Sequence, residues 1–305
     1  MAASPIDRRT LCLGMASTAV LATTANTATP ALAAAAIAAP GTDPLGQLRR
    51  VMKIYASLAS GTIWYWYSGT LELAPQDGPI MPVAGTETLI RRDVTARADG
   101  TFMVRTMEAN LICSLADGLP TDSIINPVNR RTLAPLHFTE GPRDTPWTAA
   151  SLVPRQMPGL ESRIAFSNAG DYTFLKRELH ADFASALEIA EWPLEASGRR
   201  NRTGSFSTHC ALTRDVDNPV LQSAPCSFTY SAIFGWLPWL LMGQAPGHTL
   251  WRANGMKLAD LAPLPAPVRS GFEQRFPAIF AGTDFGPEGV DLWQRFKATR
   301  KPTPL

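Results

Sequence analysis

The chain carries little of what usually announces a reaction. Its 305 residues include 4 cysteines and 4 histidines. It contains no phosphate-cradling glycine loop, no Gly-x-Ser-x-Gly elbow, no His-Glu-x-x-His and no Cys-x-x-Cys pair. Those absences remove the standard signatures of nucleotide binding, elbow-type hydrolysis and zinc proteolysis. His137, His180, His209 and His248 stand too far apart for ligand spacing, so a metal would have to be assembled from distant strands, and no metal or other cofactor is expected. His209 and Cys210 are adjacent on a strand and point to opposite faces, which prevents them from sharing an ion. Charge is nearly balanced, with 28 basic against 26 acidic residues. That balance argues against nucleic acid or an anionic membrane as partner. Long apolar runs are missing too: Leu11 to Ala22 falls short of the roughly 20 residues that span a bilayer, and no later stretch reaches that length. No integral membrane segment is expected in the mature chain.

What is present begins at the amino terminus. Arg8-Arg9, the apolar run from Leu11 to Ala22 and the small-residue string Ala31-Leu32-Ala33 read as a twin-arginine signal peptide over residues 1–33. Such a signal engages the twin-arginine translocase and delivers the protein to the periplasm or the exterior. Leu11 precedes Cys12 and the apolar run follows it, so lipidation is not expected. Cleavage after Ala33 removes two arginines and one aspartate, leaving 26 basic and 25 acidic residues.

A flexible Ala/Pro/Gly tether over residues 34–43 precedes one β-rich domain over residues 44–305. Asp43 before Pro44 reads as a helix cap with proline at the first position. Leu45, Leu48, Val51, Tyr55 and Leu58 then recur at helical spacing until Gly61 stops the helix. The next run, Thr62 to Leu71, is dense in aromatic and β-branched residues. Alternation puts Ile63, Tyr65, Tyr67 and Leu71 on one face and Trp64, Trp66, Ser68 and Thr70 on the other, so both faces must be covered. Further strands are expected at 86–94, 101–113, 163–168, 171–179, 204–213, 226–234 and 249–253. Turn chemistry at Ala98-Asp99-Gly100, Asn168-Ala169-Gly170 and Asn254-Gly255 separates them. Arg199-Arg200-Asn201-Arg202 reads as a solvated hairpin tip. Many short strands with few helices indicate a mainly β fold, a single antiparallel β-barrel or barrel-like sandwich. The N-terminal helix and C-terminal helices at 265–276 and 289–297 are expected to pack outside it.

Export permits disulfides. Cys210 ends one strand, Cys226 begins the next, and Asp217-Asn218-Pro219 lies midway between them. An antiparallel hairpin would set the two cysteines face to face, a bridge worth about 3 kcal/mol by loop entropy. The alternative is buried thiols, and Cys113 stays unpaired in either case.

The ionisable residues within strands are the candidates for chemistry. Alternation places Glu108 on the polar face with Thr106 and Asn110. Glu108 is either a surface carboxylate or a group lining a lumen, where burial would raise its pKa and suit it to acid/base work. His137 is either a satisfied core histidine or a base. The block Trp236-Leu237-Pro238-Trp239-Leu240-Leu241-Met242 is either a buried corner or a wall for an apolar, ring-containing ligand.

Five segments in order carry a family likeness: Gly61 to Thr70, Val104 to Glu108, Asn126-Pro127 with His137 following, Trp236 to Gly243, and Asn254 to Leu258 with Lys257. Together they resemble the domain-of-unknown-function family eighteen thirty-eight over most of residues 45–277. The resemblance implies an exported protein and attaches no secure reaction to the family. It also marks departures: Ile112 and Ser114 stand where a tyrosine and an aspartate are expected, and Ile124 where a tryptophan precedes Asn-Pro. Glu108, Asn126 and His137 survive as the polar candidates.

These readings converge on an exported barrel binding a hydrophobic small molecule, terpenoid, steroid-like or aromatic. The expected ligand contacts are Trp64, Tyr65, Trp66, Tyr67, Trp236, Trp239, Met242 and Lys257. Glu108, His137 and Asn126 would support a cofactor-independent isomerisation, dehydration or lyase step. A non-catalytic periplasmic carrier uses the same pocket without proton transfer, and an exported structural protein needs no pocket at all.

Overall fold

The computed structural model describes residues 43–283 and 292–304. The expected signal peptide, nearly all of the tether and the start of the expected 289–297 helix lie outside these residues. Helix α1 (Pro44–Tyr55) opens as the sequence suggests, with Asp43 Oδ1 accepting the Gly46 N–H at 2.6 Å and proline at the first turn. It ends at Tyr55, so Gly61 does not stop the helix but opens the first strand.

The strands are β1 (Gly61–Pro75), β2 (Met81–Ala96), β3 (Phe102–Cys113), β4 (Ile124–Ile125), β5 (Thr132–Leu133) and β6 (Phe138–Trp147). They continue with β7 (Arg155–Met157), β8 (Leu160–Ala169), β9 (Tyr172–Ala184), β10 (Arg200–Leu212), β11 (Ser227–Phe234) and β12 (Gly247–Leu258). Helix α2 (Thr213–Asp217) links β10 to β11, while α3 (Ala266–Arg275), α4 (Pro277–Ala281) and α5 (Leu292–Thr299) follow β12. None of the described helices is long and apolar enough to cross a membrane.

Ten strands form one antiparallel sheet in the order β6-β3-β2-β1-β12-β11-β10-β9-β8-β7, and β4 pairs with β5. The long ladder from Trp64 opposite Leu258 to Pro75 opposite Gly247 joins the first strands to the last. Asn254-Gly255 is not a turn but lies inside this ladder. A Cβ at Gly255 would run into the Trp66 carbonyl and the Tyr67 backbone, so the glycine permits close approach of two strands. Arg199 to Arg202 is likewise not a hairpin tip. Asn201 is buried, and Arg200 and Arg202 both pair with Asp182 of the neighbouring β9.

Both faces of β1 are covered. Trp64, Leu89, Met107 and Leu111 pack beneath Val268 and Phe272 of α3 and Ile279 of α4. Tyr65, Tyr67 and Leu71 pack on the opposite, inner face with Leu48, Met52 and Tyr55 of α1 and Trp293 of α5. Among the described helices only α3 and α4 therefore sit on the outer face, and α1 and α5 belong to the inner one, contrary to the expectation that all pack outside. Fully burying Leu48, Met52 and Ile54 contributes about 1.5–3 kcal/mol each.

Polar groups explain why α1 is drawn inside. A helix end leaves its last carbonyls without partners. Tyr65 Oη donates to Ile54 O at 2.8 Å and Tyr55 O at 3.1 Å, and Arg92 Nη1 donates to Tyr55 O at 2.7 Å. Lys257 Nζ donates to Lys53 O at 2.6 Å, Ile54 O at 3.0 Å and Ala56 O at 3.3 Å. Two cations at this end also oppose the negative pole of the helix dipole.

The expected disulfide does not form: among the described residues Cys113, Cys210 and Cys226 are all free. Cys210 pairs in register with Ser227, one residue past Cys226, so the two cysteines fall on opposite faces. Cys226 faces inward, 3.6 Å from Tyr65 Oη. Alkylation of the denatured, unreduced mature protein should therefore label Cys210 and Cys226 fully, as read by peptide mass spectrometry; a linked Cys210–Cys226 peptide would contradict this register.

Candidate functional site

The inner face lines an open cavity of about 410 Å³. Its lining comes from strands at both ends of the sheet, Phe138 and Glu140 on β6 and Ser162 and Ile164 on β8, so the sheet curls around it. One wall is aromatic. Tyr67 lies 5.3 Å from Phe228 between ring centroids, Tyr230 meets the edge of Trp251 at 5.6 Å, and Phe234 meets it at 6.4 Å. Leu292 and Trp293 of α5 complete the lining.

Next to Tyr67 the lining is ionic. Glu108 on β3 stands directly across the ladder from Glu140 on β6, and both line the cavity. Like charges in register repel, so such a pair is stable only where a proton, a cation or a hydrogen-bond donor relieves it. Glu108 Oε1 accepts from Tyr67 Oη and Asn110 Nδ2, each at 3.2 Å. Asn110 Oδ1 in turn accepts from Thr88 Oγ1 at 2.7 Å, and both Thr88 and Asn110 are completely buried. Three adjacent strands thereby hold the carboxyl in place. Glu108 keeps part of its own surface open to the cavity, but burial, reinforced by the Glu140 charge, raises its pKa to about 7. Burial also pushes the Tyr67 and Tyr230 hydroxyls well up, with Glu108 adding to the effect, so both remain phenols and hydrogen-bond donors at neutral pH.

A smaller recess of about 180 Å³ shares Glu108, Glu140, Arg92, Arg143 and Arg177 with the main cavity and reaches Tyr55 and Thr106. Arg92 lies over the Tyr55 ring at 3.7 Å and the Tyr65 ring at 4.4 Å, and Arg177 lies over Tyr55 at 4.7 Å. Burial pushes the Tyr55 hydroxyl up, yet Arg177 and Arg92, with hydrogen bonding, together hold it below its ordinary value.

Of the residues the sequence singles out, Glu108 and Tyr67 meet in this cavity, and the others do not join them. Tyr65 lies on the inner face but is committed to the end of α1, as is Lys257, whose pKa burial lowers to about 8. Trp64 and Trp66 point to the opposite face because strand side chains alternate; Trp64 packs with Phe280, and Trp66 Nε1 donates to Glu87 Oε2 at 2.7 Å. His137 lies outside the cavity lining. Its Nδ1 accepts from the Ile112 N–H at 3.0 Å and its Nε2 contacts Asp122 Oδ1 at 3.2 Å. Burial, then Arg275, lowers its pKa.

Asn126 is also committed to structure. Its Nδ2 donates to Leu240 O at 2.8 Å, while its Oδ1 accepts from the Val128 N–H at 2.8 Å, an Asx turn that pins the loop. Trp236, Trp239 and Met242 are buried core, and of their block Leu237 reaches the cavity. The sequence reading missed Glu140, Arg92, Arg143, Arg177, Asn110, Tyr230 and Trp251. Asn110 was legible as the i+2 neighbour of Glu108 on one strand face.

The family model described as Protein of unknown function (DUF1838) matches residues 61–299. Among curated proteins, none matches the chain.

The raised pKa makes a stability prediction. The folded protein keeps the Glu108 proton that the unfolded chain releases near pH 4.5, so this carboxyl's contribution is fully present below pH 4.5 and is lost as pH rises through about 7. In urea titrations, wild type should lose stability relative to Glu108→Gln between pH 4.5 and 7. A difference that stays flat across this window would show that the site does not hold the proton.

Proposed function

This chain belongs to the DUF1838 family, and we propose that it is an exported, barrel-like protein that binds an apolar, ring-containing small molecule and moves a proton on it. The observation that carries the proposal is Glu108, poised at about 7 beside Glu140 on the wall of an aromatic cavity. A carboxyl half-ionised at neutral pH both takes and returns protons, which suits a cofactor-independent isomerase, dehydratase or lyase. Glu108 would remove a proton from carbon next to an electron-withdrawing group. The phenol of Tyr230, which lines the same cavity, would hydrogen-bond an oxygen on which charge develops, while Tyr67 keeps its O–H on Glu108. Return of the proton to a second carbon completes an isomerisation with no change of redox state.

Glu140, not His137, is the partner of Glu108 in this scheme, because His137 already binds the Ile112 amide and lies outside the lining. The aromatic wall also suits a carrier that releases its ligand unchanged. Native mass spectrometry of mature protein incubated with terpenoid, steroid-like and aromatic candidates separates the two, since a carrier's ligand keeps its identity over time. Glu108→Gln should bind the same ligand and slow its conversion by at least about 100-fold; an undiminished rate removes Glu108 from the chemistry.

Export is proposed on Arg8-Arg9 and the Ala31-Leu32-Ala33 cleavage string. Fractionation should place wild type in the periplasm or medium with Ala34 as its first residue, and the double variant Arg8→Lys, Arg9→Lys in the cytoplasm. Equal export of both would defeat the twin-arginine assignment.

A further inference from the structure

Three arginines crowd the recess that adjoins the carboxyl pair, and what Arg92 and Arg177 meet inside the protein is a backbone carbonyl and ring faces. Arg92, Arg143 and Arg177 all line it. Among the described residues none of the three forms an ion pair with a carboxylate. Arg92 is 4% exposed, and its Nε has no hydrogen-bond partner. A buried guanidinium with an open donor is costly unless something accepts from it. Arg92 and Arg177 both lie within 5 Å of the Tyr55 ring, so two cations converge on one buried point. The ring faces offset part of their repulsion, and an anion between them would offset more. The Tyr55 hydroxyl, held below its ordinary value in a buried place, reports the same positive field.

The recess and the aromatic cavity share Glu108, Glu140 and the three arginines, which line both. One bound molecule spanning them would meet cations and carboxyls together where the two spaces join, and rings in the main cavity. We propose that the ligand is an organic anion: an apolar ring body against the aromatic wall, bearing one carboxylate-like group that seats on Arg92, Arg143 and Arg177. This rests on the cavity being a ligand site, and it changes the ligand from a purely hydrophobic molecule to an amphiphile. The anionic group would fix which carbon faces Glu108, because a guanidinium fork holds an oxyanion in one orientation.

A matched pair of fluorescent probes tests the assignment. 8-Anilinonaphthalene-1-sulfonate and N-phenyl-1-naphthylamine share one ring system, and only the first carries an anion. The mature protein should bind both at one site, the sulfonate at least about tenfold more tightly, as expected for hydrogen bonds to a charged group. Arg143→Gln and Arg177→Gln should each remove most of that preference and leave the neutral probe's affinity unchanged, which doubles as the check that the variants are folded. Added salt should weaken the sulfonate alone. Equal affinities, or a preference that survives both substitutions, overturn the anion seat while leaving the aromatic cavity as a ligand site. If neither probe binds, the ligand-site reading falls as well.

Discussion

The last carbonyls of α1 must find donors inside a curled sheet, and that requirement organises the rest. Lys257, Tyr65 and Arg92 supply the donors from β12, β1 and β2, three neighbouring strands at the middle of the sheet. The helix is thereby fixed against the inner face with Tyr55 at its end, beneath Arg92 and Arg177. Tyr55 then lines the smaller recess. A helix packed outside, as amphipathicity alone suggests, would leave Tyr65 Oη and Lys257 buried without partners, a cost of about 1–3 kcal/mol for each neutral group and more for a charge. The sheet therefore acts through its polar inner residues as much as through its apolar ones.

Electrostatics divides the interior in a way that burial alone does not. Glu108 and Glu140 confront each other, while Arg92, Arg143 and Arg177 stand in the same recess without pairing to them. Arg92 pulls the Glu108 pKa down, and burial together with the Glu140 charge outweighs it. Tyr67 and Asn110 satisfy Glu108 without supplying a charge, so its proton stays mobile near neutrality. A proton-handling pair beside a positive cluster is what a molecule with a reactive ring and an anionic tail would need.

The architecture was legible to the extent that it is local. The N-cap of α1, the two-faced β1 and the sharing of one β3 face by Thr106, Glu108 and Asn110 follow from spacing and alternation, while the inward turn of that face does not. What alternation cannot show is which strand lies opposite. Glu140 and Arg143 sit on β6, whose Gly141, Pro142 and Pro146 disguise it as a loop; it is tolerated as a strand because it is at the end of the sheet, where its missing donors need no partner. The hydrophobic block around Trp236 and Trp239 read equally as core or ligand wall, and packing makes it core. Cys210 and Cys226 failed to meet for want of one residue of register, which a hairpin argument cannot fix.

The account stands or falls on the proton that Glu108 keeps beside Glu140. Carbon-detected NMR of protein labelled at the glutamate carboxyls would follow Glu108 directly through a pH titration, in wild type and in Glu140→Gln. The structure predicts a midpoint near pH 7 in wild type that moves toward the ordinary carboxylate range once the opposing charge is gone. A Glu108 that titrates near 4.5 in both proteins would contradict it.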